Sequence, residues 1–252
     1  MNPNDLSVDP TLVSAIRERY LRVSDAIRVA AKKAGREADA VRLVVVTKMH
    51  PVATVRAAIA AGARDLGENY VEEALEKIGA IGAVEQGLCW HMIGHVQSRK
   101  AEQVAAGAFQ MLHSLDSLKL ASRLDRFAGD AGHRLPVLLE VNVSGEQSKF
   151  GYPAWNETLW QAWRPELERL VALPNLEIRG LMSMPPFADE AEASRPFFEK
   201  VVALQAYLNK HYSQVAWKEL SIGTSVDYAV AVATGATLVR VGTAILGSRP
   251  VK

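Results

Sequence analysis

The stretch Val41-Arg-Leu-Val-Val-Val-Thr-Lys48, followed by Met49-His50-Pro51, sets the reading of the chain. Its apolar, β-branched run has the character of a buried strand. Pro51 to Ala61 then reads as a helix, closed by Gly62. The strand ends on a lysine, and an ammonium at the end of an apolar strand is costly unless it is paired, snorkels to water or does chemistry. A lysine whose surroundings depress its pKa is the type that condenses with aldehydes. Most strand-end lysines simply face solvent, so the rest of the chain has to decide.

Working outward, the same alternation repeats. Residues 11–34 place Leu12, Ile16, Tyr20, Val23, Ile27 and Ala30/Ala31 at helical spacing, with Gly35 as a stop. Further strands are expected at 64–67, 88–94, 109–115, 135–143, 176–183, 219–223 and 237–245. Helices are expected at 70–78, 96–106, 118–127, 155–172, 189–211 and 226–233. Eight strands alternating with helices argue for parallel pairing and for a closed (β/α)8 TIM barrel. An open doubly wound sheet lacks support, because no Gly-x-Gly-x-x-Gly turn follows the first strand. Only Gly247 to Lys252 follow the last strand, so the N-terminal helix is expected to fill the eighth outer position. One domain, 1–252, is expected, with residues 1–9 flexible.

Composition narrows the function classes. The chain has 252 residues and a formal net charge of +1, from 29 basic and 28 acidic side chains. That balance points to no nucleic-acid groove and no membrane patch. The single cysteine, Cys89, excludes an internal disulfide and a cysteine-built metal site and fits a reducing compartment. No signal peptide is evident, and the twelve-residue run Tyr228 to Val239 is too short to span a bilayer. A cytoplasmic protein is expected.

In such barrels the reactive groups sit at the C-terminal strand ends. Here those ends carry Lys48; Glu68-Asn69; His91 through Gly94; His113-Ser-Leu-Asp116; Asn142; Arg179 through Ser183; Gly223-Thr224-Ser225; and Arg240-Val-Gly242-Thr243. The loops after strands seven and eight are the fold's usual phosphate place. Ser225 is expected to open a helix there, where its hydroxyl and the free amides suit a dianion. Gly242 permits close backbone approach and Thr243 adds a hydroxyl. Each has a plainer reading, Ser225 as a helix cap and Gly242 as a packing glycine. Together, in the right two loops, they favour phosphate. A phosphate site facing a strand-end lysine describes a pyridoxal phosphate pocket.

The motifs VVVTKMHP around Lys48, Gly67-Glu-Asn-Tyr70, Trp90-His-Met-Ile-Gly94 with Gln97-Ser98 and Lys100, and His113-Ser-Leu-Asp116 resemble one family. So do Val141-Asn-Val-Ser-Gly-Glu146 with Ser148-Lys149 and Gly151, Arg179-Gly-Leu-Met182, Leu220-Ser-Ile-Gly223 and Arg240-Val-Gly-Thr-Ala-Ile245. From about residue 10 to 249 the chain is similar to the pyridoxal-phosphate homeostasis (PLP-binding) proteins, relatives of the barrel domain of alanine racemase. The resemblance implies that Lys48 carries pyridoxal 5'-phosphate as an internal aldimine and that Ser225, Gly242 and Thr243 hold its phosphate, with Gly223 in the same group. It implies Arg240 near the pyridine nitrogen and Asn69, Met182 and Ser183 along the ring. It also implies buffering or delivery of the cofactor, with PLP-dependent apoenzymes as recipients, and no catalytic residue. A monomer is expected.

The chain departs from the family pattern at His50, at Gly94-His-Val-Gln97, and in the segment bearing Trp155, Trp160 and Trp163. Those tryptophans suit outer-helix packing better than a ligand face. Lys149 is read as an auxiliary contact, His91 as a hydrogen-bonded core histidine, and Cys89 as a small buried apolar residue. His91, His95 and His113 lack ligand spacing, so no metal is expected. The alternative function is a racemase or related amino-acid enzyme using the same lysine. It needs a second acid/base group, and the related racemase brings a tyrosine from a further domain. A phosphosugar aldolase is a weaker third reading.

Overall fold

A computed structural model describes residues 8–81 and 87–249. Residues 1–7, most of the segment expected to be flexible, lie outside them. The strands are β1 (Arg42–Val46), β2 (Asp65–Glu68), β3 (Cys89–Met92), β4 (Met111–Leu115), β5 (Leu135–Asn142), β6 (Tyr152–Pro153), β7 (Leu176–Met182), β8 (Glu219–Ser221) and β9 (Leu238–Val241). The helices are α1 (Pro10–Lys33), α2 (Val52–Ala60), α3 (Val71–Ile81), α4 (Ala101–Ala105), α5 (Leu118–Asp130), α6 (Glu157–Ala162), α7 (Arg164–Val171), α8 (Arg195–His211), α9 (Tyr228–Thr234) and α10 (Thr243–Leu246).

All strand pairs are parallel, and β4–β5 and β9–β1 pairings close the sheet into an eight-stranded barrel. The closed (β/α)8 barrel is therefore what the alternation predicts. The two-residue β6 is extra and pairs only with the end of β5. It was not visible in the sequence because two residues carry no period.

Helix α1 buries Ile16, Val23, Ile27 and Ala31 along one face and starts on Asp9, whose carboxylate accepts from Thr11 N at 2.9 Å. It packs on α2, α9 and α10, which is the vacant place in the outer ring. Proline sets two breaks in the expected helices. Pro165 starts α7 and splits the 155–172 region at Trp163, and Pro196 starts α8 after a 3-10 turn at Ala191–Ser194. The expected 96–106 helix also divides, into a 3-10 turn at Ser98–Lys100 and α4.

Two corrections bear on the site. The last strand stops at Val241 and not Ile245, because the chain turns at Gly242 into α10. The helix expected from Val226 starts at Tyr228, so Ser225 does not open it. Instead Asp227 Oδ1 accepts from Thr224 N at 2.6 Å and ties 224–227 into a turn ahead of the helix. Cys89, expected to be buried, is only half-buried at the start of β3.

Trp160 and Trp163 are core residues, Trp163 stacked on Tyr152 with centroids 5.1 Å apart, and Trp155 is partly exposed. Gly180 marks the tightest backbone approach. It faces Glu219 across β7–β8, and an added Cβ would lie 1.9 Å from the Glu219 carbonyl oxygen. Gly180→Ala is expected to destabilise the barrel by about 1–3 kcal/mol or more, because backbone has to move. Urea unfolding followed by tryptophan fluorescence measures it.

Candidate functional site

The chain leaves β1 through a tight turn, Thr47-Lys48-Met49, that carries the lysine. Met49 has φ 62°, a left-handed conformation uncommon for a residue with a side chain. The turn is held from below by a buried ammonium. Lys77 on α3 donates to Thr47 O at 2.7 Å, to Glu68 Oε1 at 2.7 Å and to Glu73 Oε1 at 2.6 Å. Glu68 Oε1 also accepts from the Thr47 hydroxyl, and Glu73 Oε1 accepts from Met49 N. Every bond flanks Lys48 without touching its side chain, which leaves the amine free to face a cavity.

That cavity, of about 320 Å³, lies at the C-terminal end of the barrel and is lined by Lys48, His50, Asn69, Ser225, Arg240, Gly242 and Thr243. Val46, Ile93, Met184, Phe187, Thr224 and Arg249 complete the wall. Its size lies at the small end of ligand pockets. No carboxylate is among these described lining residues, and three carry permanent or potential cationic charge in addition to His50. The cavity therefore favours an anion.

The same charges act on Lys48. Burial lowers its pKa first, and the Arg249 and Arg240 guanidiniums lower it further, while Glu68 and Glu73 oppose them. A larger share of the amine is then neutral and nucleophilic near neutral pH. His50, nearly fully buried, is likewise lowered, by burial first and then by Lys77 and Arg249.

Beside the lysine's own strand the two turns after β8 and β9 converge. Ser225 Oγ accepts from Gly242 N at 3.2 Å and Ala244 N at 3.5 Å. Gly242 sits against β1, where an added Cβ would lie 3.2 Å from Val46 O. With the Gly242 and Ala244 amides holding Ser225 Oγ, the Ser225 and Thr243 hydroxyls meet the cavity at one corner. Arg240, 4% exposed, donates through Nη1 to Ser221 O and Oγ, both at 2.6 Å, and through Nη2 to Ser183 O at 3.2 Å. Burial pulls its pKa down to about 10, so it keeps its charge at neutral pH.

The expected residues divide by place. Lys48, Asn69, Ser225, Arg240, Gly242 and Thr243 share the cavity wall. Met182 is behind it, packed with Met111 and Leu138, and Ser183 donates its hydroxyl to Val141 O at 2.7 Å. Gly223 has φ 92° and lies close against Tyr228 and Ala231, where an added Cβ would come within 2.5 Å of Ala231 Cβ. Lys149 lies outside the cavity, donating to Met184 O at 2.9 Å and pairing with Glu146 at 3.0 Å. His91 is inside the barrel with His113. Among the described residues no group of three or more His, Cys, Asp or Glu side chains is arranged for a metal.

Lys77 and Arg249 escaped the sequence reading. Lys77 had a signal, since Val71, Ala74 and Lys77 fall on one buried helical face and Glu73 lies four residues before it. Arg249 had none, because only the barrel's closure brings residue 249 near residue 48.

The alanine racemase N-terminal domain family matches residues 23–250. A Pseudomonas aeruginosa protein named pyridoxal phosphate homeostasis protein is 41% identical over 242 residues, covering 94% of this chain and 97% of its own. An Aquifex aeolicus protein of the same name is 37% identical over 232 residues, covering 92% and 97%. The solved structure of PipY from Synechococcus elongatus with PLP bound has a TM-score of 0.74 and 36% identity, covering 88% of this chain and 99% of that one.

Two outcomes follow from the turn and its charges. Lys77→Met should cost about 3–5 kcal/mol in urea unfolding, since it strands the buried Glu68 carboxylate, and adding Glu68→Gln should recover part of the loss. Arg249→Ala should move the Lys48 pKa up toward the ordinary lysine value. The pH midpoint of Lys48 labelling by trinitrobenzenesulfonate, read by peptide mapping, reports that shift.

Proposed function

The chain belongs to the pyridoxal phosphate homeostasis protein family, and on that footing we propose that its Lys48 cavity holds pyridoxal 5'-phosphate for storage and delivery. The cofactor supplies an aldehyde, which condenses with a neutral amine, and a phosphate dianion, which needs hydrogen-bond donors. The observation that carries the proposal is the convergence of both requirements on one small cavity. The depressed Lys48 amine and the Ser225, Gly242 and Thr243 corner line the same wall. The donor set fits the group: the Ser225 and Thr243 hydroxyls and the cations, with no carboxylate in the described wall to repel a dianion.

The remaining residues orient the ligand. Asn69 lines the cavity and its Oδ1 is buried without a hydrogen-bond partner among the described residues, an acceptor that a bound hydroxyl satisfies. Arg240 presents fixed, charged donors, and a guanidinium favours an unprotonated ring nitrogen over a pyridinium. That makes the ring a weak electron sink and disfavours carbanion chemistry, which suits a carrier. We read the protein as a monomer in the cytoplasm that passes the cofactor to PLP-dependent apoenzymes. No helix among the described residues is long and apolar enough to cross a membrane.

A second reading, amino-acid racemisation or related chemistry, is favoured by one observation: His50 shares the cavity with Lys48, giving two proton-carrying groups. The two readings separate on α-proton exchange from D- and L-amino acids in deuterated water. Rapid exchange that depends on both Lys48 and His50 would replace the carrier reading.

Protein loaded with pyridoxal phosphate should show a visible absorption band that Lys48→Ala abolishes. Borohydride reduction and peptide mapping should place the pyridoxyl mass on Lys48. An unmodified Lys48 in loaded protein overturns the assignment.

A further inference from the structure

Behind the cavity a chain of hydrogen bonds crosses the barrel interior through five strands. It runs from Arg240 on β9 to Ser221 Oγ on β8 at 2.6 Å, and from Ser221 Oγ to His113 Nδ1 on β4 at 2.8 Å. It continues from His113 Nε2 to His91 Nδ1 on β3 at 2.9 Å, and from His91 Nε2 to Asp65 Oδ1 on β2 at 2.9 Å. His113 and Ser221 are fully buried, His91 is 1% exposed, and the Asp65 side chain at the far end retains 20% exposure. The two imidazoles meet edge to face, at 86°.

Donor and acceptor chemistry gives this chain a direction. A guanidinium has donors only, so Ser221 Oγ accepts from Arg240. The Ser221 hydroxyl then has its own hydrogen to place, and the His113 Nδ1 takes it. A neutral His113 with bare Nδ1 carries its proton on Nε2 and donates to His91 Nδ1. His91 in turn carries its proton on Nε2 and donates to Asp65, a carboxylate that only accepts. All four hydrogens find an acceptor.

The opposite arrangement fails on the same count. Were His91 an imidazolium, His113 would hold its proton on Nδ1 and Ser221 Oγ would accept from both neighbours. Its buried hydroxyl hydrogen would then have no acceptor among the described residues, which costs about 1–3 kcal/mol. A second cation would also sit inside the barrel with Arg240. Burial, with the Arg240 and Arg42 guanidiniums nearby, pushes the His113 pKa well below its ordinary value and so favours the neutral ring.

We propose that Asp65, His91, His113 and Ser221 are positioning residues for Arg240: a one-way donor chain that takes the Ser221 hydrogen onto His113, turns the Ser221 oxygen lone pairs toward Arg240 and so fixes the guanidinium facing the cavity. Three Arg240 N–H groups are taken by Ser221 and Ser183 among the described residues, leaving two of the five for a ligand. The chain thereby sets which donors the ligand meets. The ligand part of this inference rests on the pyridoxal phosphate reading above; the donor direction does not.

Imidazole nitrogen NMR of the uniformly 15N-labelled wild-type protein tests the direction without any substitution. Of the six histidines, His91 and His113 should both be neutral Nε2–H tautomers at pH 7. An Nδ1–H tautomer or an imidazolium at either position overturns the chain. The ligand arm compares Ser221→Ala with Ser221→Thr. Ser221→Ala should release His113 from its single tautomer, lower pyridoxal phosphate affinity about tenfold and shift the visible absorption maximum, whereas Ser221→Thr should restore all three. Unchanged affinity and an unchanged maximum in Ser221→Ala overturn the positioning role. If wild-type protein takes up no pyridoxal phosphate, the cavity reading fails, and the tautomers still decide the direction of the chain.

Discussion

The site depends on one pairing, that of the last barrel strand with the first. The β9–β1 register sets Arg240 opposite Val44 and Val241 opposite Val45. At the next position the turn at Gly242 lies directly against Val46, both its carbonyl oxygen and its side chain. That contact carries the donor corner at Ser225 and Thr243 to within one small cavity of Lys48. In an open sheet these segments would lie at opposite edges. A glycine at 242 is what lets the backbones approach so closely.

Closure also concentrates charge. Lys48, Arg240 and Arg249 come from sequence positions far apart, and their mutual repulsion lowers the Lys48 pKa after burial has already done so. The protein offsets part of this with Glu68 and Glu73, placed beneath the turn and neutralised in turn by Lys77. A buried ion pair adds little net stability compared with apolar packing, but removing one member costs several kcal/mol. Here the pair also holds a left-handed Met49, so a strained backbone and an available amine arise from the same contacts.

The interior of the barrel has two characters. Leu138, Met111 and Met182 make a small apolar cluster, while Arg240, Ser221, His113 and His91 run a polar line through the same space. Polar groups so deep are tolerated because each is hydrogen-bonded. The line ends at Asp65, near the opposite end of the barrel from the cavity, so residues at both ends of the sheet bear on one guanidinium.

From sequence alone the alternation of apolar strands with amphipathic helices determined the barrel, and strand-end position marked Lys48, Asn69, Ser225, Arg240, Gly242 and Thr243 as candidates. Those are local signals: period, β-branching and a polar residue where an apolar run ends. The tertiary structure decided the rest. It left Met182, Ser183 and Gly223 out of the described cavity lining, ended β9 at Val241, and made Lys77 the support of the Lys48 turn. It alone joined His91 to Arg240 through His113 and Ser221. The reason is geometric. The His113–Ser221 hydrogen bond joins residues 108 positions apart, and no periodicity in a chain encodes which of its inward side chains meet.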